Sequence, residues 1–231
     1  MKKLLISFNI ICTSFCIQAQ NSSIYAELNY NTFMHSSLKK FQKEFISDLP
    51  EIRLQENDKF PSNVGFTVGY KINKINTSFF FSYNYTGGKL SYSDYSGVIR
   101  IEEPLKGYTV GGNYQFYLEK LSNNNHEFYF GLKGFLTYST LGINSYSQIL
   151  DNINDDSISF NALDIGVGAN LIYEYPISFF KIRAVIGIDA VIGDKLLFQE
   201  NNKAHLENDG GDPVKTGWSG VRTGVGISIP I

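Results

Sequence analysis

Residues 181–193 read KIRAVIGIDAVIG, a stretch in which Ile or Ala recurs at every second position from Ile182 to Ile192. The intervening positions carry charge, glycine and valine, and they include Arg183 and Asp189. A period of two is typical of a β-strand that presents one set of side chains on each face. One face of this strand is entirely apolar while the other mixes charged with small residues, so the two faces must meet different surroundings.

The same alternation recurs seven times elsewhere in the chain. The predicted strands cover about 22–34, 62–72, 76–92, a stretch ending near 118, 126–144, 158–175, 181–193 and 217–230. Most exceed the roughly 9–11 residues that a tilted strand needs to cross a bilayer. Because lipid does not tolerate an open sheet edge, the sheet must close on itself. The pattern predicts an all-β fold, an eight-stranded antiparallel up-and-down transmembrane β-barrel with its apolar face toward lipid.

The connections between these strands alternate in length. Short turns are predicted at 73–76, 119–125 and 175–178, and longer links at 35–61, 93–106, 146–157 and 194–216. Short periplasmic turns and long external loops are typical of outer-membrane barrels. Tyrosine and phenylalanine gather near the strand ends, as in the aromatic girdles of membrane interfaces. The pattern therefore predicts a place in a bacterial outer membrane.

The start of the chain has the organisation of a secretory signal peptide. Lys2 and Lys3 form a basic start, an apolar run follows, and a small-residue cleavage site ends at Ala19. We predict a signal peptide over 1–19 and a single outer-membrane β-barrel domain over 20–231.

Composition excludes several classes of function. Both cysteines, Cys12 and Cys16, lie in the signal peptide, which removes disulfide and cysteine-metal chemistry from the rest of the chain. Without Lys2 and Lys3, 18 basic residues face 22 acidic ones, a net charge of −4. Because no basic stripe is present, nucleic acid is not expected as a partner. No cofactor is predicted.

A soluble lipocalin-type barrel in the periplasm is the rival interpretation of the alternation. Such a barrel is apolar inside and polar outside. The strands predicted at 158–175, 181–193 and 217–230 would then place little except glycine and scattered charges on the outer surface. The transmembrane interpretation is favoured for that reason.

The closing residues VGISIPI, the Ala-Gln signal ending and the strand-and-loop order resemble small outer-membrane β-barrel proteins of Gram-negative bacteria. The similar groups are the OmpA-like and PorT-like eight-stranded barrels, and the resemblance extends over the whole mature chain. It implies contact with outer-membrane lipid and lipopolysaccharide and a porin-like, structural or export-related role in the cell envelope. Barrels of this kind usually end in an aromatic residue, whereas this chain ends in Ile231.

Nine ionisable side chains are predicted to face the barrel interior as a polar network. They are Glu27, Lys71, Lys133, Asp164, Glu174, Lys181, Arg183, Asp189 and Arg222. Closure of the sheet is expected to set Arg222 between Glu27 and Asp189, with Asp164 one strand further round. A salt-bridged plug is favoured over an ion path, because an eight-stranded barrel has little lumen left once its side chains are packed.

The first external loop contains a short amphipathic pattern. Its apolar residues recur at helical spacing at Leu38, Phe41, Phe45 and Leu49. Ser36 or Ser37 is expected to cap this helix and Pro50 to end it. The favoured interpretation is that the helix folds its apolar stripe over the barrel rim. The alternatives are that it lies on the membrane or docks a protein partner.

Enzymatic and metal-binding interpretations have weaker support. His35 and Ser37 offer the base and nucleophile of a lipid A hydrolase, but the pair is short and common. Two other histidines, His126 and His205, lie far apart along the chain and indicate no metal site.

Two acidic loops offer oxygen ligands for Ca²⁺ or for the ions that bridge lipopolysaccharide. The acidic residues are Asp151, Asp155 and Asp156 in one loop and Glu207, Asp209 and Asp212 in the other. Solvated surface is the favoured interpretation of both loops, and the DGGD run of the second lacks the spacing of a calcium loop.

The favoured function is that of a non-enzymatic outer-membrane barrel. It is expected to be plugged inside and to act in envelope structure or in partner and surface contacts through its external loops. A narrow pore or small-solute channel is the alternative, and a lipid A-modifying enzyme is the third hypothesis.

Overall fold

The structure is a computed structural model that describes residues 22–49, 52–95, 97–119, 121, 126–201 and 203–231. The predicted signal peptide over 1–19 and the predicted helix stop at Pro50 lie outside the described residues. Among the described residues, no helix is both long enough and apolar enough to cross a membrane.

Ten strands and one α-helix make up the described chain. The strands are β1 (Ser22–Phe33), β2 (Gln55–Lys59), β3 (Asn63–Ile72), β4 (Thr77–Ser93), β5 (Gly97–Tyr117), β6 (Glu127–Ile149), β7 (Asn152–Ile177), β8 (Phe180–Ile192), β9 (Leu197–Phe198) and β10 (Gly220–Pro230). The helix α1 (Ser36–Ser47) follows β1, and a 3₁₀ turn (Asn73–Ile75) joins β3 to β4.

Eight of these strands form a closed ring in the order β1-β3-β4-β5-β6-β7-β8-β10, and β10 pairs back with β1. All neighbouring pairs are antiparallel, and each ring strand follows its predecessor around the wall. The predicted eight-stranded up-and-down barrel is confirmed. The short strands β2 and β9 lie outside the ring on the external side, where no strand was predicted.

The two faces of the wall have the polarity predicted from residues 181–193. Ile186 and Ile188 on β8 are 54% and 65% exposed, whereas Arg183 and Asp189 on the same strand are buried. Similar exposed aliphatic and aromatic side chains surround the ring and form an apolar belt. Water does not support a continuous apolar surface of this extent, but lipid does. The polarity is the reverse of that expected for the soluble lipocalin-type barrel.

Glycine on the inner face makes room for large side chains. Tyr25 on β1 is paired with Gly69 on β3, and its ring lies across the glycine. A Cβ atom at Gly69 would collide with the Tyr25 ring, so only glycine fits there. The narrow interior of an eight-stranded barrel requires such alternation of small and large residues.

The links predicted at 93–106 and 146–157 are wrong, because both regions are largely strand. The β4–β5 connection spans only 94–96, and β6 joins β7 through Leu150 and Asp151. These strands continue beyond the apolar belt, where exposed side chains include charged ones such as Glu102 and Lys106. The alternation used to recognise strands fades where lipid no longer covers the wall.

The continuation forms an external sheet, composed of β2, 86–93 of β4, 97–106 of β5, 140–149 of β6 and 152–161 of β7. Its order is β2-β4-β5-β6-β7, so β2 is one edge and the start of β7 is the other. The sheet extends the wall on the side opposite the predicted periplasmic turns.

Candidate functional site in the barrel interior and at its external mouth

Arg183 is the centre of the ion cluster nearest the periplasmic end. It is fully enclosed, and its Nε and Nη1 atoms donate to Glu27 Oε1 and Glu174 Oε1, each at 2.5 Å. The guanidinium carbon also lies 4.4 Å from the centre of the Tyr25 ring. A guanidinium that donates one hydrogen bond to each of two carboxylates satisfies charges that would otherwise be costly to bury.

Two lysines lie closer to the periplasmic rim. Lys181 Nζ is 2.6 Å from Glu127 Oε2 and 3.7 Å from Glu174 Oε2, and its side chain remains one-quarter exposed. Lys71 Nζ lies 3.8 Å above the ring of Tyr129, a cation–π contact. The rim cluster therefore joins the Arg183 cluster through Glu174.

A second ion cluster lies further toward the external side. Asp189 Oδ1 is 2.7 Å from Lys133 Nζ, and Asp189 Oδ2 is 3.4 Å from Arg222 Nε. The expected place of Arg222 between Glu27 and Asp189 is only half observed, because Glu27 pairs with Arg183 instead. The register gives the reason: Glu27, Gly226 and Arg183 share one level across three strands, and the glycine leaves the path open.

Asp164 differs from the other interior acids because no described cation pairs with it. Its carboxylate accepts hydrogen bonds from Thr216 Oγ1 at 2.6 Å, from the Asp194 backbone N–H at 3.1 Å and from Ser139 Oγ at 3.4 Å. Ser139 in turn accepts from Trp218 Nε1 at 2.8 Å. This hydrogen-bonded group ties the external loop over 194–219 to the barrel wall.

The space left between the two ion clusters is small. A cavity of about 30 Å³ is lined by Tyr25, Glu27, Lys133, Arg183 and Arg222, among others. This volume suits one or two water molecules.

An apolar exterior surrounds a charged interior, and the backbone closes on itself. The chain is a small transmembrane β-barrel.

The external mouth of the barrel is covered by a small apolar core. The core brings together α1, the wall and the loop over 194–219, and its largest members are Phe33, Leu38, Phe60, Leu105, Leu141, Phe160 and Trp218. Leu38 is buried within this core and Phe41 packs against it. Phe45 and Leu49 are only half-buried, and the helix ends before Leu49. We name this arrangement the external lid.

The start of α1 differs from the prediction. The N-cap is His35, which has a left-handed backbone (φ 45°), and no side chain caps the helix. Ser37 Oγ instead accepts a hydrogen bond from the Lys215 N–H at 3.1 Å. Ser37 bonds to the external loop rather than to its own helix because the lid places the loop backbone beside it.

His35 and Ser37 do not form the predicted base–nucleophile pair. The His35 Nδ1 atom lies 2.6 Å from the Thr216 carbonyl oxygen, and the ring is packed edge-on against Trp218. Burial lowers the pKa of His35 to about 4. The ring is a neutral component of the lid.

The buried pair Gln42–Glu103 is a polar contact that sequence reasoning missed. Gln42 Nε2, on α1, donates to Glu103 Oε2 at 2.8 Å and to the Asp58 carbonyl at 3.1 Å. Burial raises the pKa of Glu103 to about 7. The available signal was Gln42 at i+4 from Leu38, on the same face of the helix.

The other two histidines have separate partners. His126 bonds to the Tyr173 hydroxyl at 2.8 Å, and His205 lies 2.9 Å from Glu207. Within the described ranges, no three His, Cys, Asp or Glu side chains are grouped to hold a metal ion.

No family model and no curated protein matches the chain. Several solved outer-membrane proteins are similar in structure. Neisserial surface protein A has 10% identity and a TM-score of 0.33, with 91% of this chain and 97% of that chain covered. A major outer membrane protein of Thermus thermophilus has 9% identity and a TM-score of 0.47, with coverage of 90% and 98%. Ail, the attachment invasion locus protein of Yersinia pestis, has 16% identity and a TM-score of 0.33, with coverage of 90% and 95%.

Proposed function

We propose that this barrel is a non-enzymatic, closed component of the outer membrane that acts through its external part, in envelope structure or in contact with a protein partner. The observation that carries the proposal is a double obstruction. The interior is filled by the two ion clusters around Arg183 and Asp189, and the external lid packs over the mouth. Neither obstruction leaves a passage comparable with that of a large porin.

The apolar belt supports outer-membrane lipid as the surrounding medium, with lipopolysaccharide at its outer edge. The non-enzymatic role is supported by the environment of His35, whose ring bonds to a carbonyl and is enclosed by aromatic side chains. A general base needs access to the proton that it removes. Unchanged lipid A after expression of the wild type and of His35→Ala would agree with this role.

A narrow pore is the second candidate, favoured by the continuous polar lining from Lys181 at the periplasmic rim to Asp164 beneath the lid. Polar and charged linings are typical of conducting barrels.

Conductance in a planar bilayer separates the two candidates. The purified chain is compared with the double variant Asp189→Ala/Arg222→Ala, and heat-dependent gel mobility verifies folding of both. Absence of ion current through the wild type supports the closed barrel. A steady current from the wild type that the double variant alters would overturn it and support the pore.

A further inference from the structure

One edge of the external sheet has no backbone partner in the described chain. β7 is paired with β6 from residue 152 to residue 174, but on its other side it meets β9 only at 160–161 and β8 from 165 onward. The stretch 152–158 is therefore a regular strand with one open side, and all seven of its side chains are exposed. We name it the open edge.

Ser159, which follows the open edge, shows which backbone groups of the open edge point away from β6. The Ser159 carbonyl accepts a hydrogen bond from the Gln199 N–H at 2.9 Å, on the side away from β6. Backbone groups in an antiparallel strand alternate sides with a period of two. Ile153, Asp155 and Ser157 therefore direct their N–H and C=O groups outward from the open edge.

The opposite edge of the external sheet is protected against pairing. β2 has only five residues, its register shifts between Glu56 and Asp58, and Lys59 and Pro61 end it. Short length, bulges, lysine and proline are common defences of edge strands. The open edge has no lysine and no proline, and its pairing with β6 continues without a bulge; its only charged residues are Asp155 and Asp156.

The charge on the open edge indicates which kind of partner strand it can bind. Asp155 and Asp156 lie on opposite faces of the sheet, both exposed, and no described lysine or arginine forms an ion pair with either. A second copy of the chain, added antiparallel with the two strands centred on Asp155, would place Asp155 opposite its own counterpart, which is unfavourable. A strand with adjacent basic residues would meet one aspartate on each face.

We propose that residues 152–158 bind an extended, cationic segment of a partner protein as an additional strand of the external sheet. Backbone hydrogen bonds at Ile153, Asp155 and Ser157 would hold the added strand, and the two aspartates would select its charge. The inference rests on the proposed function in external contacts and specifies the partner's chemistry.

The backbone part of the inference is tested with a probe peptide, acetyl-Val-Thr-Val-Lys-Lys-Val-Thr-amide carrying a fluorophore. Its binding to the folded full chain in non-ionic detergent is followed by anisotropy. Ser157→Pro removes an edge N–H without removing a bond to β6, and we expect at least about tenfold weaker binding. Ser157→Ala is the matched control, because both variants lose the Ser157–Asn144 side-chain bond. Equal binding by the proline and alanine variants would overturn strand addition.

The charge part is tested with Asp155→Asn/Asp156→Asn and with a peptide carrying Glu-Glu in place of Lys-Lys. We expect the basic peptide to bind the double variant about tenfold more weakly, with less dependence on salt, and the acidic peptide to fail on the wild type. Equal binding of both peptides by the wild type would overturn the cationic partner. The conductance result does not depend on these binding experiments. If the peptides do not bind as expected, the closed-barrel proposal is unaffected.

Discussion

Arg183 and Glu27 form an ion pair across an intervening strand. Arg183 belongs to β8, Glu27 to β1, and β10 lies between them, with Gly226 at the same level. Because the glycine has no side chain, the guanidinium reaches over it to the far carboxylate. This contact therefore spans three strands, whereas the contact of Arg183 with Glu174 joins directly paired residues of β8 and β7.

Replacement of Arg183 by Met is expected to destabilise the barrel by about 3–5 kcal/mol, since Glu27 and Glu174 would remain buried without their shared cation. The free energy of unfolding is measured by guanidinium titration in detergent. Lys89→Met is the control, because Lys89 pairs with Glu102 in exposed surroundings at 3.0 Å and is expected to matter by less than about 1 kcal/mol. Similar losses from both substitutions would contradict the burial argument.

Ile186 tests which face meets lipid. Ile186→Arg puts a charge on the exposed belt of β8 and is expected to cost about 2–4 kcal/mol in lipid vesicles. Ile149→Arg is the matched control, because Ile149 is similarly exposed but lies in the external sheet, where about 0.5 kcal/mol or less is expected. If the two variants unfold alike, the belt does not mark the membrane.

The alternation of residues predicted the ring strands well, because lipid on one side and packed charge on the other act on every second residue. The same reasoning failed at 93–106 and 146–157. Residues 152–159 are exposed on both faces of the sheet, so the alternation has no cause there, whereas Ile101 and Leu105 are buried on the inner face and only the outer face lacks lipid. Nine inward charges could be selected from their strand faces. The partner of Glu27 could not, because it depends on the register of three strands and on Gly226 in the middle one.

The external lid shows a similar limit. Helical spacing predicted α1, but the helix begins at Ser36 with His35 as its N-cap rather than Ser36 or Ser37. Its N-cap and its bond to Glu103 depend on the loop over 194–219 and on the wall above the belt, which lie far away in the chain. Local pattern carries no information on either contact.

Glu103 is expected to make the lid less stable as pH rises. Its pKa is about 7 in the folded protein and about 4.5 when the carboxyl is solvated, so the folded state binds the proton more tightly. The contribution of the protonated carboxyl to the free energy of unfolding is fully present below about pH 4.5. It is lost as the pH rises from 4.5 to 7, and the loss is about 3 kcal/mol at most. The pH dependence of unfolding is compared with that of Glu103→Gln, which keeps the Gln42 contact in a neutral form. A slope unchanged by this substitution would show that another group is responsible.

His35 is expected to have the opposite effect on the pH dependence, because it makes the protein less stable as the pH falls. Its Nδ1–H donates to the Thr216 carbonyl, and the buried Nε2 has no hydrogen-bond partner among the described residues, so a proton added there would find no acceptor among them. The pKa of about 4 lies below the ordinary value of 6.5, and stability is therefore lost as pH falls through that interval, by about 3 kcal/mol at most. The measurement uses Glu103→Gln as the background, because the two groups titrate in overlapping ranges. His35→Phe should flatten the acid limb while lowering stability near neutrality by about 1 kcal/mol for the lost hydrogen bond. An acid limb that persists in His35→Phe would place the responsible proton elsewhere in the barrel.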